Sequence, residues 1–149
     1  MIRMAAEADL PAIVRLCLEG IKEFDFEYAN MAVPDEVQIA KYVYKQWLTA
    51  PAFILELDNK IVGFWGLKLD SHWWSRDIVL MDYRMYISPC YRNINNVKSL
   101  YEAGQSFAVT NGLPLHCGML TTDGRLDARR RLMRRLGFKE TGFTFAFGG

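Results

Sequence analysis

A group of polar side chains interrupts an otherwise apolar stretch near the middle of the sequence. Residues 78–88, IVLMDYRMYIS, read as a strand, yet they carry Asp82, Tyr83 and Arg84 at their centre. Central strands that are buried on both faces are nearly all apolar. Strand alternation predicts that Asp82 and Arg84 share one face and that Tyr83 and Met85 share the other. Two interpretations stay open: Asp82 and Arg84 pair with each other or across the sheet, or Asp82 or Tyr83 forms part of a binding pocket.

One histidine is a further candidate for proton transfer. His116 lies in the segment LPLHCGML, opposite in phase to Leu115 and Cys117, which indicates a strand. Because an imidazole titrates near neutral pH, His116 can serve as a general base. The alternative is a structural role within the strand.

The segment YISPCYRNINNV follows the polar strand and leads into a helical pattern. A helix start presents main-chain N–H groups and the positive end of the helix dipole, which together hold anions. Asn93, Asn95 and Asn96 stand where glycine is common in such turns, and asparagine tolerates the left-handed region better than most residues. The turn is either a phosphate site or a helix start capped by asparagine.

Alternating strands and helices must position these residues. Helix starts are indicated at Asp9–Pro11 and Pro34–Asp35, a hairpin turn at Asp58–Asn59, and a long helix over about residues 95–111. The predicted order is β-α-α-β-β-β-α-β-α-β. It indicates an α/β fold (an α+β sandwich) with a mixed sheet of six to seven strands and helices on both faces, in one domain over residues 1–149.

Composition excludes several classes of partner. The chain has 149 residues, with 18 Lys and Arg against 17 Asp and Glu, so no strong field favours nucleic acid or a membrane surface. No apolar run approaches the ~20 residues that a bilayer crossing needs. Glu7 and Asp9 argue against a signal peptide, and we expect a cytoplasmic protein. The three cysteines lack the paired spacing of a metal site, so no metal is expected.

The order of elements resembles that of the GNAT superfamily of N-acyltransferases. Such proteins commonly begin like IRMAAEADLPAIVRL, carry a turn that Pro89, Tyr91 and Arg92 reproduce here, and end a late helix in Leu-Gly-Phe, as residues 136–138 do. The resemblance implies transfer of an acetyl or other acyl group from coenzyme A to a primary amine, without a metal or covalent intermediate. The arginine-rich ending is also similar to that of short bacteriophage GNAT-like proteins, which act in the host cytoplasm.

The resemblance further implies how acetyl-CoA is bound. In the family, the strand before the turn holds the pantetheine like an added strand and directs an N–H at the acyl oxygen, and the turn holds the pyrophosphate. In this chain these positions are Met85, Tyr86, Ile87, Ser88, Arg92, Asn93, Ile94, Asn95, Asn96, Val97 and Lys98. Catalysis then falls to Asp82, Tyr83 and His116 as parts of the amine pocket or as the base.

The last predicted helix departs from the family at two positions. Met133 stands where the family often has a tyrosine that protonates the leaving thiolate; a thiol pKa of about 8.5 makes that help modest. Arg129 falls inside the apolar arc of the helix, where an arginine needs an anionic partner or a path to solvent. We expect Arg129 to lie beside the cofactor or to pair with a carboxylate near the site.

Two further segments are candidates for the acceptor side. Asp25 and Glu27, among aromatic residues in KEFDFEYANM, either attract a cationic amine or belong to a loop that covers the core. His72 sits beside two tryptophans in DSHWWSRD, which indicates a substrate wall or a partner surface.

Two functions therefore remain. The first is an N-acetyltransferase acting on a small-molecule amine or a protein, which the retained proline and arginine of the turn favour. The second is a weak or silent GNAT-fold protein that binds a host protein partner, which the missing glycines and Met133 favour. The sequence leaves a homodimer open.

Overall fold

The computed structural model describes residues 1–23, 33–118 and 126–141. These ranges contain five strands, β1 (Ile2–Met4), β2 (Ala52–Leu57), β3 (Lys60–Ser71), β4 (Ile78–Ile87) and β5 (Leu115–His116), and four helices, α1 (Leu10–Glu23), α2 (Glu36–Trp47), α3 (Ile94–Thr110) and α4 (Leu126–Arg135). The order confirms the predicted fold class. The expected count of six to seven strands is higher than the five in the described residues, because residues 138–141 are not a strand and the rest of that predicted strand lies outside them.

Local chemistry explains the element boundaries. The Asp35 side chain caps α2 by accepting hydrogen bonds from the N–H groups of Val37 and Gln38, at 2.9 and 3.1 Å. Asp58 and Asn59 both adopt positive φ, +49° and +59°, as a two-residue hairpin turn between right-twisted strands requires. The two predicted boundaries are therefore confirmed.

The sheet has the strand order β1-β2-β3-β4-β5, and helices cover both of its faces. The first three pairs are antiparallel, whereas β4 and β5 are parallel and α3 makes the crossover between them. Helices α1 and α2 pack on one face, around Leu16 and Phe64. Helix α3 and the apolar side of α4 pack on the other, around Trp65 and Leu100. Across the described ranges, every helix falls short of the length and apolarity that a bilayer crossing requires.

A glycine brings α3 close to the sheet. A Cβ atom added to Gly104 would lie 2.2 Å from Cζ3 of Trp65, so only glycine allows this approach. Trp65 in turn packs edge-to-face on Tyr101 at 4.9 Å. This close packing fixes α3, which a short turn over residues 88–93 joins to the end of β4.

Candidate active site

A β-bulge in β4 determines where the polar residues of that strand point. Gly66 of β3 pairs with Arg84, whereas the next residue of β3 pairs with Asp82, so Tyr83 is the extra residue. Both Tyr83 and Arg84 project to the face covered by α1 and α2, where they line the same cavity. The Tyr83 ring lies over Gly66, at which a Cβ would come 2.2 Å from Cζ of the tyrosine, and meets the Tyr42 ring edge-to-face at 5.4 Å.

Asp82 lies on the opposite face, which α3 covers. Its carboxylate accepts hydrogen bonds from the Gly118 N–H at 2.7 Å and from Nε1 of Trp65 at 3.4 Å, and Met85 packs against the core on the same side. The prediction that Asp82 shares a face with Arg84, and that Tyr83 shares one with Met85, is therefore wrong. The extra residue shifts the alternation by one position, which also separates Asp82 from Arg84.

The surroundings of Asp82 are largely desolvated. Burial raises the pKa of the Asp82 carboxyl, against the opposing effect of the hydrogen bonds from Gly118 and Trp65. Burial also raises the pKa of the nearby Tyr101 hydroxyl, and that of the Cys117 thiol to about 12. At neutral pH the phenol and the thiol are thus protonated. Asp82 has the character of a base shifted toward the working pH.

Replacing Asp82 by asparagine should stabilise the fold at neutral pH and change it less in acid. The folded-state pKa of Asp82 is raised. The protonated Asp82 carboxyl of the wild type therefore contributes its full stability below the pKa that it has in the unfolded state. This stability is lost as pH rises through the pKa that it has in the folded state. Asparagine keeps an acceptor for the Gly118 N–H but carries no charge. Urea unfolding of both proteins from about pH 3 to about pH 8 measures the difference.

The control is Asp77→Asn, which removes the same charge from an exposed residue away from the buried surroundings of Asp82. A stability difference between wild type and Asp82→Asn that stays constant over the whole pH range would show that burial does not raise this pKa.

In the described part of the chain, the side of β4 away from β3 has no strand neighbour beyond its short contact with β5, and we call this stretch its open edge. Within the described ranges the two strands pair only over Leu80–Met81. The Ser88 N–H donates to the Val62 carbonyl of β3 at 2.8 Å. By strand alternation, the N–H groups of Met85 and Ile87 then face the open edge, whereas the main chain of Ser88 belongs to the β3 side. Two of the four residues expected to hold pantetheine thus present main-chain groups there.

The start of α3 presents fewer donors than the sequence suggested. The Asn93 side chain caps the helix by accepting from the Asn96 N–H at 2.9 Å, and the Val97 N–H donates to the Asn93 carbonyl at 3.2 Å. The N–H groups of Ile94 and Asn95 begin the helix and have no acceptor within it. The turn is therefore an asparagine-capped helix start that still offers main-chain donors to an anion.

The turn does not need glycine for its backbone conformation. In the described part of the chain, positive φ occurs at Asp58, Asn59, Gly112 and Gly137, and at no position of this turn. Asn93 has φ −143°, which is extended backbone. The asparagines are thus compatible with the turn because none of them has to enter the left-handed region.

Arg92, expected at the pyrophosphate, is held by a carboxylate of α1. Its guanidinium forms a bidentate ion pair with Glu23, and its Nε donates to the Ile87 carbonyl at 2.6 Å. The Tyr86 hydroxyl donates to the same Glu23 carboxylate at 3.0 Å, with Arg92 over the tyrosine ring. The pair with Arg92, followed by the Tyr86 hydrogen bond, outweighs burial and lowers the pKa of Glu23.

Sequence reasoning missed the acidic side of this network. Glu19 and Glu23 lie four residues apart on α1, and Glu19 accepts from the Ser88 hydroxyl at 3.1 Å. An i,i+4 pair of carboxylates at the end of an amphipathic helix was the available signal. The network ties α1 to the end of β4, so Arg92 and Ser88 act in positioning this turn.

Two cations on the α3 side were expected near the cofactor. Arg129 is half-buried, and its charge lowers the pKa of Glu23, after the larger effect of Arg92. Lys98 is exposed and pairs with Glu102 at 3.5 Å. Met133, the other departure in α4, packs against the α3-side core.

The structure does not bring His116 to Tyr83. His116 is exposed, and its ring lies 5.2 Å from that of His72, which stacks on Trp74 at 4.5 Å. No hydrogen bond among the described residues joins His116 to Asp82 or Tyr83. His116 belongs to an exposed aromatic group near the start of β4, whereas α3 follows the other end of that strand.

The cavity that Tyr83 and Arg84 line lies between α1, α2 and β4, and we call it the helix-side pocket. Its volume is about 410 Å³, and it is lined by Cys17, Ile21, Gln38, Ile39, Tyr42, Val43, Tyr83 and Arg84. The Tyr83 hydroxyl is buried there without a hydrogen-bond partner among the described residues. The segment expected to shape an acceptor pocket, with Asp25 and Glu27, lies outside the described residues.

Comparison with solved structures identifies the fold. An aminoglycoside acetyltransferase, meta-AAC0020 from an uncultured soil metagenomic sample, in complex with sisomicin, has a TM-score of 0.70 at 22% identity, with 99% of this chain and 95% of that chain covered. AAC(6')-Ig from Acinetobacter haemolyticus gives 0.66 at 15% identity (100% and 97% covered). AAC(6')-Iy in complex with the bisubstrate analogue CoA-S-monomethyl-acetylneamine gives 0.66 at 16% (100% and 97% covered). At these identities the likeness establishes the fold alone.

Comparison of sequences establishes the family. No curated protein sequence gives a significant match. The sequence model of the acetyltransferase (GNAT) family matches residues 18–138, which include the end of α1, the bulged strand, the capped turn and α4. The chain therefore belongs to the GNAT family of acetyltransferases, a family that uses acetyl-CoA.

Proposed function

We propose that this protein transfers an acetyl group from acetyl-CoA to a primary amine on a small molecule or a protein. The observation that carries the proposal is the open edge of β4, which runs from the bulge at Tyr83 to the start of α3. An extended ligand can pair with such an edge as an added strand. The helix start at its end suits the phosphates of the same ligand.

The chain offers distinct groups for each part of acetyl-CoA. The main-chain groups of Met85 and the N–H group of Ile87 hold the pantetheine, and the N–H groups of Ile94 and Asn95 hold the pyrophosphate. Arg92 positions the turn through its pair with Glu23. The remaining expected residues, which support these from the same strand, turn and helices, are Tyr86, Ser88, Asn93, Asn96, Val97, Lys98 and Arg129.

The chemistry needs a polarised carbonyl, a base and a proton for the leaving thiolate. Acetyl-CoA supplies the acetyl group as a thioester: the amine nitrogen bonds to the acetyl carbon, the carbon–sulfur bond breaks, nitrogen loses a proton and the thiolate gains one. We assign the Met85 N–H to the acyl oxygen and the Asp82 carboxylate, directly or through water, to the amine proton. Water supplies the thiolate proton.

Binding of acetyl-CoA is the first test. At a hundred times its dissociation constant, a ligand stabilises a fold by ~2.7 kcal/mol. For a chain of this size that corresponds to a rise in Tm of about 5–10 °C. Release of free thiol over a panel of amines and peptides then measures transfer. A Tm that stays constant in millimolar acetyl-CoA would overturn the proposal.

A second function has its own support in the geometry. Arg92 is neutralised by Glu23, and the Asn93 side chain occupies one donor of the helix start. Trp73 and Trp74 are 93% and 66% exposed, which is unusual for such large apolar side chains. A GNAT-fold protein that binds a protein partner through this surface fits these features. Acetyl-CoA binding with no thiol release from any amine would favour it.

A further inference from the structure

The helix-side pocket brings together two unlike polar groups that belong to the β4 bulge. The bulge turns the side chains of Tyr83 and Arg84 into the pocket, while the main chain of the same residues runs along the open edge toward Met85. Tyr83 and Arg84, whose side chains face the pocket, therefore stand only two and one positions before Met85, whose N–H we assign to the acyl oxygen. The pocket volume of about 410 Å³ lies in the range of small-molecule sites and suits a body of about one ring.

The Tyr83 hydroxyl is a buried hydrogen-bond donor that a ligand acceptor can satisfy. No residue in the described ranges accepts a hydrogen bond from it, and an unsatisfied buried hydroxyl costs free energy that a ligand acceptor would recover. Burial raises the pKa of Tyr83, so the hydroxyl is a donor throughout the physiological range. The ring is held between Gly66 and Tyr42, which leaves the hydroxyl little freedom to turn elsewhere.

The charge of the described lining residues suits an anion. Arg84 is the charged side chain among its described lining residues, and none of those residues is a carboxylate. The Cys17 thiol is neutral, because burial raises its pKa to about 11. Glu23 acts on Arg84 only as a minor influence and is itself engaged by Arg92. A guanidinium has five N–H donors, so a ligand carboxylate and a protein partner can share it.

We infer that the acceptor is an amine that also carries a carboxylate, with this carboxylate bound by the Tyr83 hydroxyl and the Arg84 guanidinium. Its apolar body lies against Ile21, Ile39 and Val43, and its amine reaches the open edge of β4. This inference rests on the proposed acetyl transfer and specifies its substrate class. A polycationic aminosugar such as sisomicin is disfavoured, because its ammonium groups would meet a cation in the pocket.

Two matched probes test the inference. The probes are 4-(aminomethyl)benzoate and 4-(aminomethyl)benzamide, which share a ring and an amine and differ in the carboxylate. Their dissociation constants are measured by calorimetry with coenzyme A present, and their kcat and KM by thiol release from acetyl-CoA. Because hydrogen bonds to a charged group are the stronger ones, the acid should bind about 10- to 100-fold more tightly than the amide.

Variants show whether the two residues cause this preference. Arg84→Gln should remove it by raising KM for the acid much more than KM for the amide. Tyr83→Phe, which removes a single oxygen atom, should weaken the acid about 2- to 13-fold. Arg76→Gln, an exposed arginine between β3 and β4, is the matched control and should keep the preference. If Arg84→Gln does not fold, the wild-type preference and Tyr83→Phe still decide.

The outcomes separate this inference from the proposed function. Equal binding of acid and amide, no binding of either, or tighter binding of sisomicin would overturn the inference. In each case acetyl-CoA binding and thiol release from another amine would leave acetyl transfer standing. An Arg84-dependent preference for the acid without acetyl-CoA binding would support the anion site and overturn the transfer.

Discussion

We expect Met85→Pro to lower kcat by about 10²- to 10³-fold while the protein stays folded. The reason is that the Met85 N–H faces the open edge of β4 and is the donor that we assign to the acyl oxygen. Loss of one such donor costs about that factor. Proline is tolerated where the missing N–H does not pair with a neighbouring strand. Thiol release under saturating acetyl-CoA gives kcat, and thermal unfolding confirms the fold.

The control is Met85→Leu, which keeps the N–H and an apolar side chain of similar size, and which should retain kcat. Hydrogen–deuterium exchange supplies a measurement that does not depend on a folded proline variant: the amides of residues 85 and 87 should gain protection when acetyl-CoA is added. A folded Met85→Pro with the kcat of the wild type would remove this N–H from the chemistry.

Much of the fold follows from the sequence because its elements are locally encoded. The Asp35 cap, the Asp58–Asn59 turn and the strand-to-helix passage into α3 each depend on residues within a few positions of one another. Such signals act through local backbone preferences, which a single sequence displays.

The direction of the polar side chains in β4 could not be predicted in this way. The bulge at Tyr83 depends on the register between β3 and β4. One extra residue moves each β4 side chain before the bulge to the opposite face of the sheet from the one that simple alternation predicts. Gly66 was the clue, since a strand glycine often marks a bulge or a close approach. Reading it would have required knowledge of which residue lies opposite.

The ion pair between Arg92 and Glu23 escaped prediction for a similar reason. The two residues are 69 positions apart, and only the packing of α1 on the sheet brings them together. Once paired, Arg92 holds the Ile87 carbonyl and the end of α1 at the same time. Arg92, at its position in the family pattern, therefore stabilises the turn. The anion is bound by main-chain donors.

Asn95→Asp should change two properties in opposite directions. A carboxylate in the first turn of α3 interacts favourably with the helix dipole, which should stabilise the fold by about 0.3–1 kcal/mol. The same charge would lie beside the pyrophosphate. Two like charges about 4 Å apart near a protein surface repel by about 4 kcal/mol before salt screening. We therefore expect the dissociation constant of acetyl-CoA to rise about 10- to 100-fold; calorimetry and urea unfolding measure the two quantities.

Asn111→Asp, at the other end of the same helix, separates the charge from its position. It adds the same charge where the dipole is unfavourable, and it removes a hydrogen bond to the Phe107 carbonyl, so it should lower stability and leave acetyl-CoA binding unchanged. Simple misfolding cannot produce a protein that is more stable and binds more weakly. If Asn95→Asp raises stability yet binds acetyl-CoA as the wild type does, the phosphates do not lie at the start of α3. A ligand paired with the open edge of β4 would then place its phosphates at another part of the protein.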